Sequence, residues 1–113
     1  MIIEQMSVSV LPSERERFTH ALVQLLSATE VLPGCLSCSL SLVLPDENIL
    51  RVEVDWESWE YLLTHLKSET YKKFLLLMEL SPAPPVLRFY SVEEIRGLDL
   101  VEFARSSETF GAL

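Results

Sequence analysis

Glycine is scarce. The 113-residue chain holds three, Gly34, Gly97 and Gly111, and they are scattered. That spacing excludes a glycine-rich loop cradling a phosphate or a dinucleotide. A Gly-x-Ser-x-Gly nucleophile elbow is missing as well. Only two cysteines and two histidines occur, too few and too dispersed for a zinc site, and no metal is expected. Positive charge is short too, with nine Lys and Arg against seventeen Asp and Glu, a net charge of −8. A surface so acidic repels phosphate backbones and anionic lipid, so neither nucleic acid nor membrane is expected as a partner. The longest wholly apolar run, Phe74 to Met78, falls far below the ~20 residues that cross a bilayer. No basic residue precedes Arg15, so the chain start does not read as a signal peptide, and a cytoplasmic location is expected.

What is abundant is apolar side chain, 49% of residues, with 23% charged. That balance belongs to a folded domain rather than a disordered chain. The length suits one domain, expected over residues 1–105 with 106–113 as a C-terminal tail.

Periodicity gives the element order. Met6, Val8 and Val10 alternate with Gln5, Ser7 and Ser9, the period of a half-buried strand. Pro12 ends it, and Ser13 with Glu16 spells a capping box for a helix carrying Phe18, Ala21, Leu22, Leu25 and Leu26 on one face. Pro33-Gly34 stops that helix. Residues 36–44 alternate serine with larger apolar residues, a second strand whose two faces are not assigned by the pattern. After the polar turn 45–48, Leu50, Val52, Val54 and Trp56 mark a third strand over 49–56, paired with the second as a hairpin. Trp59, Leu62, Leu63 and Leu66 stripe a helix that Asp55 or Ser58 is placed to cap. A further helical stretch over 68–80 carries Tyr71, Phe74, Leu75 and Met78. A proline-rich loop over 81–85 leads to a fourth strand over 86–91. The tail beyond is apolar as far as Phe103. The order β-α-β-β-α-β is the split βαβ, ferredoxin-like plan of an α+β domain, an antiparallel sheet with helices on one face.

Cys35 and Cys38 form a Cys-x-x-Cys spacing. Placed on a regular strand, residues three apart point to opposite faces. The two thiols are therefore expected not to meet, with Cys38 as core packing and Cys35 incidental.

The segment Trp56-Glu57-Ser58, then a helix carrying His65, then Ser68 and Tyr71-Lys72, resembles the antibiotic biosynthesis monooxygenase family. The Pro33-Gly34-Cys35 turn and the stretch Arg88-Phe89-Tyr90-Ser91-Val92, followed by Arg96-Gly97, resemble the same family, so the likeness runs over roughly residues 2–105. The resemblance implies a dimeric α+β barrel, in which two ferredoxin-like sheets pack face to face, and hence a homodimer. It implies a range of activities: cofactor-free oxygenation of aromatic phenols, quinol oxidation, haem degradation, isomerisation, or none. Haem degradation is disfavoured, because the place where such enzymes carry an iron-binding histidine is taken by Leu75.

Cofactor-free oxygenation asks the protein for an apolar pocket, a proton acceptor and a group that steadies an anion. No cofactor is expected. His65 is the candidate base, since an imidazole ordinarily titrates at ~6.5. Arg88 is the candidate for holding an oxyanion. Trp56, Trp59, Tyr71 and Phe74 are the candidate walls of a pocket for a small apolar or aromatic substrate. The expected function is a cofactor-independent monooxygenase acting on an aromatic or quinol substrate with O₂. The alternative is a non-enzymatic dimeric ferredoxin-like module that binds a small apolar metabolite.

Overall fold

Alternation in the first strand decides where the core lies. In β1 (Ile2–Ser9), Ile2, Glu4, Met6 and Val8 are buried while the residues between them are half-buried. A computed structural model describes residues 1–106. After β1 come a 3₁₀ turn (Pro12–Glu14), α1 (Arg15–Glu30), β2 (Cys35–Val43), β3 (Asp46–Trp56), α2 (Trp59–Leu66), α3 (Glu69–Met78), β4 (Val86–Ser91) and α4 (Leu98–Ser106). The four strands form one antiparallel sheet in the order β2-β3-β1-β4. This is the ferredoxin-like α+β arrangement expected from the element order.

Helices α1, α2 and α3 each bury one stripe against the same sheet face. Phe18, Leu22 and Leu26 of α1, Leu62 of α2, and Phe74 and Met78 of α3 meet the even-numbered residues of β1 and β3. The serines 37, 39 and 41 lie opposite Asp55, Glu53 and Arg51, on the face turned away from the helices. The face left open by the sequence pattern is thereby settled: Cys38, Leu40 and Leu42 of β2 align with Val54, Val52 and Leu50 on the helix side.

Three local expectations are corrected. The capping box does not form: Pro12 opens a 3₁₀ turn, Glu14 N–H donates to Leu11 O at 2.9 Å, and α1 begins only at Arg15. Ser13 is inside that turn, so its hydroxyl is in no position to cap α1. The β2–β3 turn is also tighter than expected, since Asp46, Glu47 and Asn48 already belong to β3. The cysteines are the third. Cys35 pairs with Trp56 and Ser37 with Asp55, so Leu36 is an extra residue in β2, a β-bulge. One extra residue reverses the alternation, and Cys35 and Cys38 come to the same face with their sulfurs 3.6 Å apart.

Two segments stay bare in the single chain. Val86, Leu87, Phe89 and Tyr90 of β4 are exposed, as are Leu98 and Val101 of α4. Of the expected tail 106–113, residues 107–113 lie outside the described residues. Among the described residues no helix is long and apolar enough to cross a membrane.

Gly34, between α1 and β2, is costly to replace. Its φ is +80°, and a Cβ there would run into the Tyr61 ring. Gly34→Ala is expected to destabilise the fold by about 2 kcal/mol or more, combining backbone strain with displacement of Tyr61. Equilibrium denaturation of the two proteins checks this, and an unchanged midpoint would contradict it.

Candidate functional site

The most unusual residue on the apolar face of the sheet is Glu4. It stands in β1 between Ile2 and Met6, and its side chain is 8% exposed. A carboxylate in such a place needs a donor. Trp56, at the end of β3, supplies one: its indole N–H donates to Glu4 Oε1 at 2.9 Å. Trp56 itself is fully buried. The same oxygen lies 4.0 Å from Nε2 of His65, which sits in the last turn of α2 and is 2% exposed.

The position of His65 follows from how α2 ends. Ser68 leaves the helical conformation and becomes the N-cap of α3. Its Oγ accepts from Tyr71 N–H at 3.1 Å and donates to His65 O at 2.6 Å. One hydroxyl thus ties the helix carrying His65 to the helix carrying Tyr71 and Phe74. The imidazole is packed among rings: its centroid is 4.8 Å from Trp56, 5.3 Å from Tyr71 and 6.4 Å from Phe74. The last two contacts are edge-on.

Burial controls the titration here. It pushes His65 down to about 4, so the imidazole is neutral at pH 7. Burial pushes Glu4 upward, partly offset by the Trp56 hydrogen bond that favours the carboxylate. Tyr71 is also raised, first by burial and then by the nearby Glu4. His65 Nδ1 is buried without a hydrogen-bond partner among the described residues. An unpaired buried ring nitrogen is costly in a purely structural histidine.

His65 lines two hollows. One, of about 10 Å³, is walled by Glu4, Met6, Val52, Val54, Tyr71 and Phe74, with room for roughly one water centre. The other, of about 210 Å³, is walled by Leu32, Pro33, Trp56, Tyr61, Thr64 and Ser68 as well as His65. Its walls are mostly apolar, and its volume admits a molecule of one or two rings. Larger grooves of about 440 and 540 Å³ run between α1 and α3, but none of the residues that line them is a buried titratable group.

The structure therefore brings His65, Trp56, Tyr71 and Phe74 together. It does not bring Trp59 or Arg88 to them. Trp59 opens α2, is 46% exposed and lines neither of the hollows that His65 lines. Arg88 stands opposite Gln5 in the ladder, and alternation puts it on the sheet face away from Glu4 and the helices. Glu4 is the residue that the sequence reading missed. Its signal was a single carboxylate in an otherwise apolar alternation, Ile2-x-Glu4-x-Met6-x-Val8. Leu32 and Thr64 carry no such signal, because only the fold gathers them, while Pro33 and Ser68 stood out only as part of the family-like segments.

The model of the antibiotic biosynthesis monooxygenase family matches residues 1–75, and the chain belongs to that family. Solved structures agree on the fold. A conserved protein from Methanosarcina mazei Go1 superposes with a TM-score of 0.76 at 22% identity, covering 81% of this chain and 92% of that one. A Deinococcus radiodurans protein, provisionally described as an antibiotic biosynthesis monooxygenase, gives 0.78 at 20% identity, covering 86% and 97%. A protein from Caulobacter crescentus CB15 with the same provisional description gives 0.74 at 21% identity, covering 82% and 90%. No curated protein matches the chain at a significant level.

Proposed function

We propose that this chain is a cofactor-independent monooxygenase that oxidises a small aromatic or quinol substrate with O₂. His65 takes the substrate's phenolic proton. The resulting anion passes one electron to O₂, and the radical pair recombines, so that one oxygen atom stays in the product and the other leaves as water. The observation that carries this reading is His65 itself, enclosed, neutral and with Nδ1 unpaired, against a hollow of about 210 Å³. Family membership supports the reaction class.

A phenol titrates near ~10, and transfer of its proton to a group at about 4 costs about 8 kcal/mol, a sizeable but bearable part of an enzymatic barrier. His65 is the acceptor, and Glu4, 4.0 Å from its Nε2, is the carboxylate that faces the imidazolium when it forms. Trp56 and Tyr61 shape the cavity, and Tyr71 and Phe74 hold the imidazole edge-on. Arg88 is left without a part in proton transfer, since it occupies the other sheet face. The bare β4 and α4 surfaces support assembly as a homodimer.

The test is oxygen uptake with a panel of hydroquinones and naphthols. His65→Ala is expected to lower the enzymatic rate by about 10²–10⁴-fold, the usual worth of a positioned general base. If wild type and variant both run at the no-protein autoxidation rate, the monooxygenase reading fails. Melting shifts with the same compounds and no turnover would then support the binding module, a reading favoured by how weak a base His65 is.

A further inference from the structure

Independently of that reaction, a second chemical feature lies at the start of β2. On a regular strand, residues three apart are separated by about 10 Å along the chain and face opposite ways. The bulge at Leu36 removes both obstacles, leaving the sulfurs of Cys35 and Cys38 3.6 Å apart with nothing between them. Both cysteines are half-buried free thiols. They sit on β2, one of the two edge strands of the sheet, and neither is fully buried, so a small reagent can reach them. Among the described residues no group of three metal-ligating side chains forms, so a metal ion would find only the two sulfurs.

We propose that Cys35 and Cys38 are a reversible dithiol–disulfide couple, closed across the β-bulge by exchange with a low-molecular-weight disulfide. The Cys35 sulfur attacks one sulfur of that oxidant, forms a mixed disulfide and releases the first small thiol. The Cys38 sulfur then attacks Cys35, expels the second small thiol and completes the intramolecular bond. The pair loses two electrons and two protons, and the oxidant's S–S bond is reduced to two thiols. Cys35 attacks first because the 3.6 Å contact between the sulfurs favours the Cys35 thiolate and disfavours that of Cys38.

The surroundings set the tempo rather than the outcome. Burial raises both thiols, Cys38 to about 12, and the carboxylates of Glu30 on α1, Glu4 on β1 and Asp55 on β3 add to the rise. Exchange is slow at neutral pH for that reason, so the couple is read at equilibrium.

The experiment incubates the full chain in oxidised glutathione to completion, then measures intact mass and runs a non-reducing gel. The expected product is a single chain lighter by two hydrogen atoms, with no glutathione attached and full reversal by dithiothreitol. Cys38→Ser is expected to trap glutathione on Cys35, because the resolving thiol is gone. Cys35→Ser supplies the same check from the other side, with one thiol and no intramolecular bond. Wild type that keeps glutathione, links to a second chain, or retains two free thiols in oxidised glutathione would overturn the proposal.

Discussion

Trp56→Ala is expected to lower the free energy of unfolding by about 3–5 kcal/mol, the cost of emptying a large, closed aromatic site. The indole is fully buried at the end of β3 and stacks at 4.8 Å on His65. Two separable losses add up in this variant. One is volume, since Leu62, Val54 and Ile2 belong to the same core and cannot all collapse into the gap. The other is the hydrogen bond to Glu4 Oε1, whose loss leaves a buried oxygen without its donor. Trp56→Phe keeps a ring in place, so it removes the hydrogen bond with a smaller loss of volume, and is expected to cost about 1–3 kcal/mol. Urea denaturation of the three proteins measures both numbers. A Trp56→Phe variant as stable as wild type would mean that Glu4 does not depend on the indole.

The second large effect is a dependence of stability on pH that belongs to His65. In the unfolded chain the imidazole binds its proton below about 6.5, and in the folded protein only below about 4. Between those values the unfolded state holds more protons, so stability rises with pH across the window and is lost as pH falls through it. At about 1.4 kcal/mol per pH unit, the window is worth about 3 kcal/mol. Glu4 acts in the opposite sense. Its folded value is raised above 4.5, so the folded state holds the extra proton and stability falls as pH rises through that range. The His65 contribution therefore appears cleanly in the difference between wild type and His65→Gln, which has no titrating ring. That difference is expected to grow by about 3 kcal/mol from pH 4 to pH 6.5, measured by denaturation at each pH. A flat difference curve would mean that the imidazole reaches water.

Most of the scaffold was legible because strands and helices bury single faces. Leu50, Val52, Val54 and Trp56 repeat every second residue, and the structure makes them one face of β3. Phe74 and Met78 repeat at helical spacing, and both are buried in α3. The faces of β2 were not legible, since Leu and Ser alternate equally well either way, and only pairing with Arg51, Glu53 and Asp55 sends the serines outward. The cysteines misled for a related reason. A bulge is a property of two paired strands, and the extra residue at Leu36 has no mark of its own in the sequence.

The site was half legible. His65 stands out as one of two histidines, and its place beside Leu62 and Leu66 put it near the buried stripe. The other, His20, is exposed on α1 beside Gln24. Arg88 illustrates the limit. Its side of β4 depends on register against Gln5, and a shift of one residue would have sent it toward Glu4. Glu4 was hidden because its partners, Trp56 and His65, are more than fifty residues away in the chain.

The proposed reaction needs a neutral, enclosed imidazole that a small aromatic molecule can reach. Nitrogen-15 NMR of the His65 ring, followed from pH 8 to pH 3.5 without and with a saturating naphthol, examines both parts at once. The free protein should keep His65 neutral down to about pH 4, and naphthol should shift its ring resonances together with those of Trp56. A ring that titrates near 6.5, or one that naphthol leaves unchanged while binding elsewhere, would contradict the assignment of this hollow as the site.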